Sequence, residues 1–123
     1  MAARSATPWL LDIVDAIAHI RAETETTPLD AFEADWRKRW LVERGIEIVS
    51  EASRRLPADM KARHPEIPWR KVAGIGNVLR HEYERTAPDV LWTVARQDLP
   101  ALDRVCREEL AAVSGQGEGW TAD

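Results

Sequence analysis

Cysteine, long apolar runs and surplus positive charge are scarce or missing in this sequence, and each shortage excludes a class of protein. The single cysteine, Cys106, rules out an internal disulfide and any metal site built from several cysteines. No apolar stretch approaches the ~18 residues that a membrane span needs. The first residues lack a charged segment followed by an apolar one, so no signal peptide is expected, and a cytoplasmic location is. A net charge of −4 argues against nonspecific coating of nucleic acid, which requires surplus lysine and arginine. No period-2 strand pattern, internal repeat or low-complexity block is present. HExxH, P-loop and GxGxxG patterns are missing too; Gly74-Ile75-Gly76-Asn77 is too short and lacks the strand that a dinucleotide site needs before it.

What remains is an ordinary globule. The 123 residues fit one domain, and 45% hydrophobic with 31% charged residues suit a folded chain with one core. Charge is unevenly placed. Lys61 to Arg85 holds six basic and three acidic residues, a window of +3 that leaves −7 for the rest. Such a window suits a focused phosphate site, and equally suits chance clustering in an arginine-rich chain.

Hydrophobic spacing predicts an all-α bundle of four to five helices. Thr7-Pro8 reads as an N-cap followed by a proline-started helix, with Leu10, Ile13, Val14, Ile17 and Ile20 on one stripe ending near Ala22. Thr27-Pro28 repeats that signal before a short turn at Leu29 to Phe32. A long helix is expected from Asp35 to Leu56, with apolar positions Trp36, Trp40, Leu41, Ile46, Val49, Ala52 and Leu56. Gly45 inside it costs about 1 kcal/mol of helix propensity and reads either as a point of close approach for another helix or as nothing special. Pro57 to Pro68 reads as a connector and Trp69 as the start of a short helical piece. A third helix is expected over Gly74 to Glu84, and a fourth from Pro88. Asp98-Leu99-Pro100 reads as a fresh N-cap before Leu102, Val105, Cys106, Leu110 and Val113. The domain is set at 1–113, and the Gly-rich 114–123 reads as a disordered tail. Most of the six tryptophans are expected in the core, some between subunits.

The chemistry concentrates in Gly74 to Tyr83. In a helix, Asn77 and His81 share one face and Arg80 and Tyr83 a neighbouring one. An imidazole titrates near neutrality and moves protons; a guanidinium holds phosphate in bidentate fashion. The same residues also read as a solvated surface, with Arg80 paired to Glu84, Tyr83 in the core and His81 in water. His19 and His64 stand apart, and His64 before Pro65 reads as a turn residue.

The residue order resembles the HepT-like family of HEPN-fold proteins. The resemblance rests on Pro8-Trp9-Leu10 to Ile20, Ile46 to Ala52, Ile67 to Gly74, Asn77 to Tyr83 and Asp98 to Leu102, and spans about residues 8 to 113. It implies a homodimeric, metal-independent endoribonuclease toxin without cofactor, acting on RNA. It also implies an MntA-like minimal nucleotidyltransferase antitoxin as partner. The family motif is arginine, four to six residues, histidine, any residue, tyrosine. His81 and Tyr83 match its end, and the resemblance makes His81 catalytic and Tyr83 the acceptor of AMP that silences the toxin. Where the arginine belongs, this chain has Gly74, Ile75 and Gly76; Arg80 lies next to the histidine instead. The expected site is therefore His81, Arg80 and Asn77, with Tyr83 as modification site. The alternative is a catalytically silent HEPN dimer that binds a nucleotidyltransferase or an RNA.

Overall fold

The computed structural model describes the backbone of residues 5–82 and 88–116, with side chains within 5–77 and 88–114. Every regular element among them is helical: α1 (Thr7–Thr24), α2 (Leu29–Ala34), α3 (Trp36–Arg54), α4 (Ala58–Ala62), α5 (Trp69–Glu82), α6 (Pro88–Thr93), a π-helical turn (Val94–Asp98) and α7 (Leu99–Gln116). None of the helices among the described residues is long and apolar enough to cross a membrane.

Helix α1 buries Leu10, Ile13, Ile17 and Ile20 of the stripe its spacing predicts, together with Ala16; Val14, expected on that stripe, is half-buried at its edge. Its start is shifted from the expectation. Ala6 holds the N-cap position, and the Ser5 hydroxyl accepts from the Thr7 amide at 3.0 Å, so Thr7 is already helical. Pro8 lies in the first turn, where its missing N–H leaves no intrahelical bond unmade. The helix runs two residues past Ala22, to Thr24, whose hydroxyl donates to the Ile20 carbonyl at 2.9 Å. Thr27 does not cap α2 either: Pro28 is at its N-cap, and the Thr27 hydroxyl donates back to Glu23.

Helix α3 is capped by Asp35, whose carboxylate accepts from the Arg37 and Lys38 amides. Its buried face is Val42, Gly45, Ile46, Val49, Ser50, Ala52 and Ser53. At Gly45 an added Cβ would sit 2.7 Å from two carbons of the buried Ile20 side chain. The glycine thus lets α1 and α3 approach closely, one of the two readings its position in the sequence left open.

The connector expected over Pro57–Pro68 contains α4, and Met60 and Ile67 insert into the core. The Trp69 indole N–H donates to the Lys61 and His64 carbonyls, folding the connector back on itself. From Trp69 the chain forms one helix, α5, where the sequence suggested a short piece and then a separate helix. The expected break at Asp98-Leu99-Pro100 is also absent. Pro100 has no N–H for an α-type bond, and its ring would crowd the Arg96 carbonyl. One π-helical turn directly before it, closed by Leu99 N–H to Val94 O, carries the helix from Pro88 to Gln116 without a break. That helix continues past residue 113, the expected end of the domain; 117–123 lie outside the described residues.

Helix α1 packs between α3 and α7, and α5 lies along α3. The π turn closes the far end of α1. Arg96 donates to the Thr24 and Glu25 carbonyls, each at 3.1 Å, satisfying carbonyls that the end of a helix leaves open. Its guanidinium also lies over the Trp92 ring, and the Trp92 indole donates to Thr27.

Most tryptophans were expected in the core. None of the five described is fully buried: Trp9, Trp69 and Trp92 are half-buried, and Trp36 and Trp40 are exposed. An indole needs a partner for its N–H, so Trp69 and Trp92 sit at the core's rim, where carbonyls are within reach. The aliphatic side chains together with Phe32 fill the centre. Leu41, expected on the α3 apolar stripe, is exposed as well.

Candidate active site

Helix α5 carries three of the four expected site positions, Asn77, Arg80 and His81, on one continuous stretch of helix. Residues 77 and 81 are one turn apart on one face; residues 76 and 80 are one turn apart on the adjoining face. Asn77 is exposed. Tyr83, the expected modification site, lies outside the described residues.

The position of α5 is set by α3. The Ser50 hydroxyl donates to the Ala73 carbonyl at 2.6 Å, and Arg54 donates to the same carbonyl. Arg54 is itself braced by Glu51, whose carboxyl is held below its ordinary range by hydrogen bonds from Arg54 and Arg55. One turn on, an added Cβ at Gly76 would meet Ser50 Cβ and Oγ at 3.4 Å and the Glu47 backbone at 3.7 Å. Residue 73 therefore lies at Ser50 and Arg54 and residue 76 at Ser50 and Glu47, so the two helices run antiparallel. Sequence reasoning missed Ser50 and Arg54. Their signal was present: Glu47, Ser50 and Arg54 recur at three- and four-residue steps beside the apolar stripe, marking a polar flank that another helix covers.

Of the three positions where the resemblance puts the arginine, Gly74 and Ile75 are half-buried and Gly76 is buried. Gly76 is packed against α3, and Arg80 lies one helical turn further along the same face of α5.

The basic window turns out to be partly consumed by structure. Arg63 donates to the Glu109 carboxylate at 2.8 and 3.3 Å, Lys71 pairs with Asp98 at 3.5 Å, and Lys61 donates to the Ser53 carbonyl. His64 is not a bare turn residue: its Nε2 shares a hydrogen bond with Glu109. The Arg63 hydrogen bond holds the Glu109 carboxyl below its ordinary range against the opposing effect of burial, and His64 adds to the lowering. Glu109, on α7, thereby fastens the α4–α5 connector to the body of the bundle. Cys106, one turn earlier, is fully buried; burial chiefly, and then Asp103 and Glu109, push its thiol up to about 12. A thiol so placed stays protonated and supplies no nucleophile.

Residues 13–109 match the family model described as ribonuclease HepT-like. The chain is 38% identical over 99 residues to a protein of Thermococcus cleftensis named "Probable ribonuclease HepT", covering 80% of this chain and 90% of that one. It is 28% identical over 104 residues to a Methanocaldococcus jannaschii protein with an RNase assignment, covering 85% and 95%. A Caldanaerobacter subterraneus protein with the same kind of assignment is 31% identical over 67 residues, covering 54% and 60%. No solved structure gives a significant match. An all-helical bundle among the described residues, a family match over most of the chain and two relatives aligned over 90% and 95% of their length agree: the chain belongs to the HepT-like ribonuclease family.

Proposed function

We propose that this protein is the endoribonuclease toxin of a HepT/MntA-type toxin–antitoxin pair, working in the cytoplasm as a homodimer. The observation that carries the proposal is the family match over residues 13–109, which includes the whole of α5 with His81 and, just beyond it, Tyr83. In the reaction, a base removes the proton of the ribose 2′-hydroxyl, O2′ attacks the adjacent phosphorus, and the 5′ oxygen leaves with a proton from an acid. The products are a 2′,3′-cyclic phosphate and a 5′-hydroxyl. His81 supplies one of the two proton transfers, and His81 of a second copy the other, because a two-fold contact doubles every residue within it. Arg80 stabilises the charge that builds on the phosphorane, and Asn77 orients the imidazole or holds phosphate. The attacking group is part of the substrate, so no metal ion is required to generate it.

Silencing follows at Tyr83. AMP joined to its phenol by an MntA-like nucleotidyltransferase puts bulk and negative charge two residues from His81, repelling the incoming RNA phosphate. Purified protein is to be incubated with single-stranded and structured RNA in chelator. Cyclic-phosphate ends that disappear in His81→Ala support the nuclease; equal cleavage by His81→Ala removes it. With the nucleotidyltransferase encoded beside it, ATP and magnesium, the protein gains AMP mass on Tyr83 and the Tyr83→Phe variant does not. An unchanged mass removes this mode of control.

The lack of an arginine at positions 74–76 favours a second reading, a catalytically silent dimer that binds the nucleotidyltransferase or an RNA. Growth arrest on expressing the protein alone, relieved by His81→Ala, decides for the nuclease. Harmless expression with a stable nucleotidyltransferase complex decides for the binding module.

A further inference from the structure

Helix α3 carries Trp36, Trp40, Glu43, Glu47, Ser50 and Arg54 on a single stripe, at steps of four and three residues. The C-terminal half of that stripe meets α5: Ser50 and Arg54 hold Ala73, and Glu47 lies beside Gly76. Because the helices are antiparallel, the last turn of α5, with residues 80 and 81, runs on toward Glu43 and Trp40. Trp40 is seven residues from Glu47, about 10 Å along the axis, and residue 81 is five residues from Gly76, about 7.5 Å in the same direction. The two tryptophans thus stand at the motif end of the α3–α5 pair.

They are unusually open for their size. Trp36 is 50% and Trp40 63% exposed. Their rings meet edge to face, with centroids 4.8 Å apart and planes at 68°, so each indole braces the other while much of the pair stays open to solvent. The Arg37 guanidinium lies 5.4 Å over the Trp36 ring, and Arg44, one turn beyond Trp40, is largely exposed in a weak surface pair with Glu47. Trp36, Arg37, Trp40 and Arg44 share about a quarter of the helix circumference. From Trp36 to Arg44 the chain has four basic residues and one acidic, in a protein of net charge −4. Lys38 and Arg39 are drawn aside to Glu23 and the Glu33 carbonyl, so Arg37 and Arg44 are the cations of this arc.

A face built for another protein would extend its apolar surface with aliphatic residues; here Leu41 is the single aliphatic neighbour exposed on this half of α3. Aromatic faces interleaved with guanidinium groups match single-stranded nucleic acid, in which every base has a stacking face and every linkage a phosphate. We propose that Trp36 and Trp40 form a stacking platform for unpaired bases of the RNA substrate, with Arg37 and Arg44 on its phosphates, holding the strand beside the α5 motif. This rests on the ribonuclease reading for the identity of the strand. It makes the enzyme selective for single-stranded over duplex RNA.

The test measures binding of a fluorescein-labelled oligoriboadenylate of about twelve nucleotides to full-length His81→Ala protein, which leaves the probe intact. Trp40→Ala weakens binding about tenfold, and Trp36→Ala with Trp40→Ala about a hundredfold. Trp40→Phe keeps most of the affinity because it stacks; Trp40→Leu does not, although it is apolar. Circular dichroism melts confirm that each variant is folded. Equal affinity in Trp40→Leu and Trp40→Phe overturns the platform. So does an intact RNA affinity in Trp40→Ala accompanied by dissociation of a dimer in sedimentation, which would make the patch an interface between copies. The two readings fail separately. If active protein carrying Trp40→Ala binds and cleaves RNA like the parent, the platform falls and the nuclease stands. If the parent binds the probe through Trp40 but cleaves no RNA, the nuclease falls and the platform stands.

Discussion

The Ser50 hydroxyl donates to the Ala73 carbonyl at 2.6 Å, and this one bond sets which side of α5 faces α3. It puts residue 76 against α3 and residue 80 one turn further on the same face. A prediction about the displaced arginine follows. Arg80→Ala lowers the RNA cleavage rate about 10²- to 10³-fold, the usual cost of losing one group that stabilises transition-state charge. Adding Gly76→Arg to that variant does not restore the rate, because a side chain at residue 76 already meets Ser50 at 3.4 Å and the Glu47 backbone at 3.7 Å on α3 with its first carbon. Single-turnover cleavage of a labelled RNA reads both effects. Full activity in Arg80→Ala would remove Arg80 from the mechanism.

Glu109 makes stability depend on acid. Its carboxyl is held below its ordinary range in the folded protein, first by the Arg63 hydrogen bond. A lowered folded pKa contributes stability that is complete above the unfolded value, about 4.3 for glutamate, and is lost as pH falls through the folded value. Urea unfolding midpoints should therefore drop below about pH 4.5 more steeply in the parent than in Glu109→Gln. At pH 7 Glu109→Gln should be the less stable of the two, since it removes the charge that Arg63 and His64 share.

Cys106 should be inert. Its thiol is fully buried and pushed up to about 12. Iodoacetamide at pH 8 leaves the native protein unmodified by mass spectrometry and adds one carbamidomethyl group once the chain is unfolded in guanidinium. Rapid native labelling would contradict the burial of α7 against α1.

Gly45 should resist replacement. Alanine adds about 1 kcal/mol of helix propensity, but its Cβ would stand 2.7 Å from two carbons of Ile20, and overpacking a core costs about 1–3 kcal/mol. Gly45→Ala should lose about 1 kcal/mol in urea unfolding. Trimming the neighbour with Ile20→Val in the same chain should recover part of that loss, which a purely propensity-based account would not produce.

Much of this molecule could be read along the chain. The α1 stripe from Leu10 to Ile20, the helix break at Pro57 and the start at Pro88 depend on residues within a few turns of each other, and hydrophobic period and proline geometry report such relations directly. The placement of His81 on a helix was legible for the same reason. Other features were decided by neighbours distant in sequence. Trp36, Trp40 and Leu41 have the hydrophobicity of core residues, yet among the described residues nothing buries them and they are exposed. Pro100 looked like a helix start, but the continuous packing of the π turn and α7 against α1 favours one π-helical turn over a break. Glu109 meets Arg63 and His64 across more than forty residues, turning an apparent basic window into a fastening of the bundle. Local periodicity records what a segment can become; which of its faces is buried, and which charge finds a partner, depends on the surface that the rest of the chain brings to it.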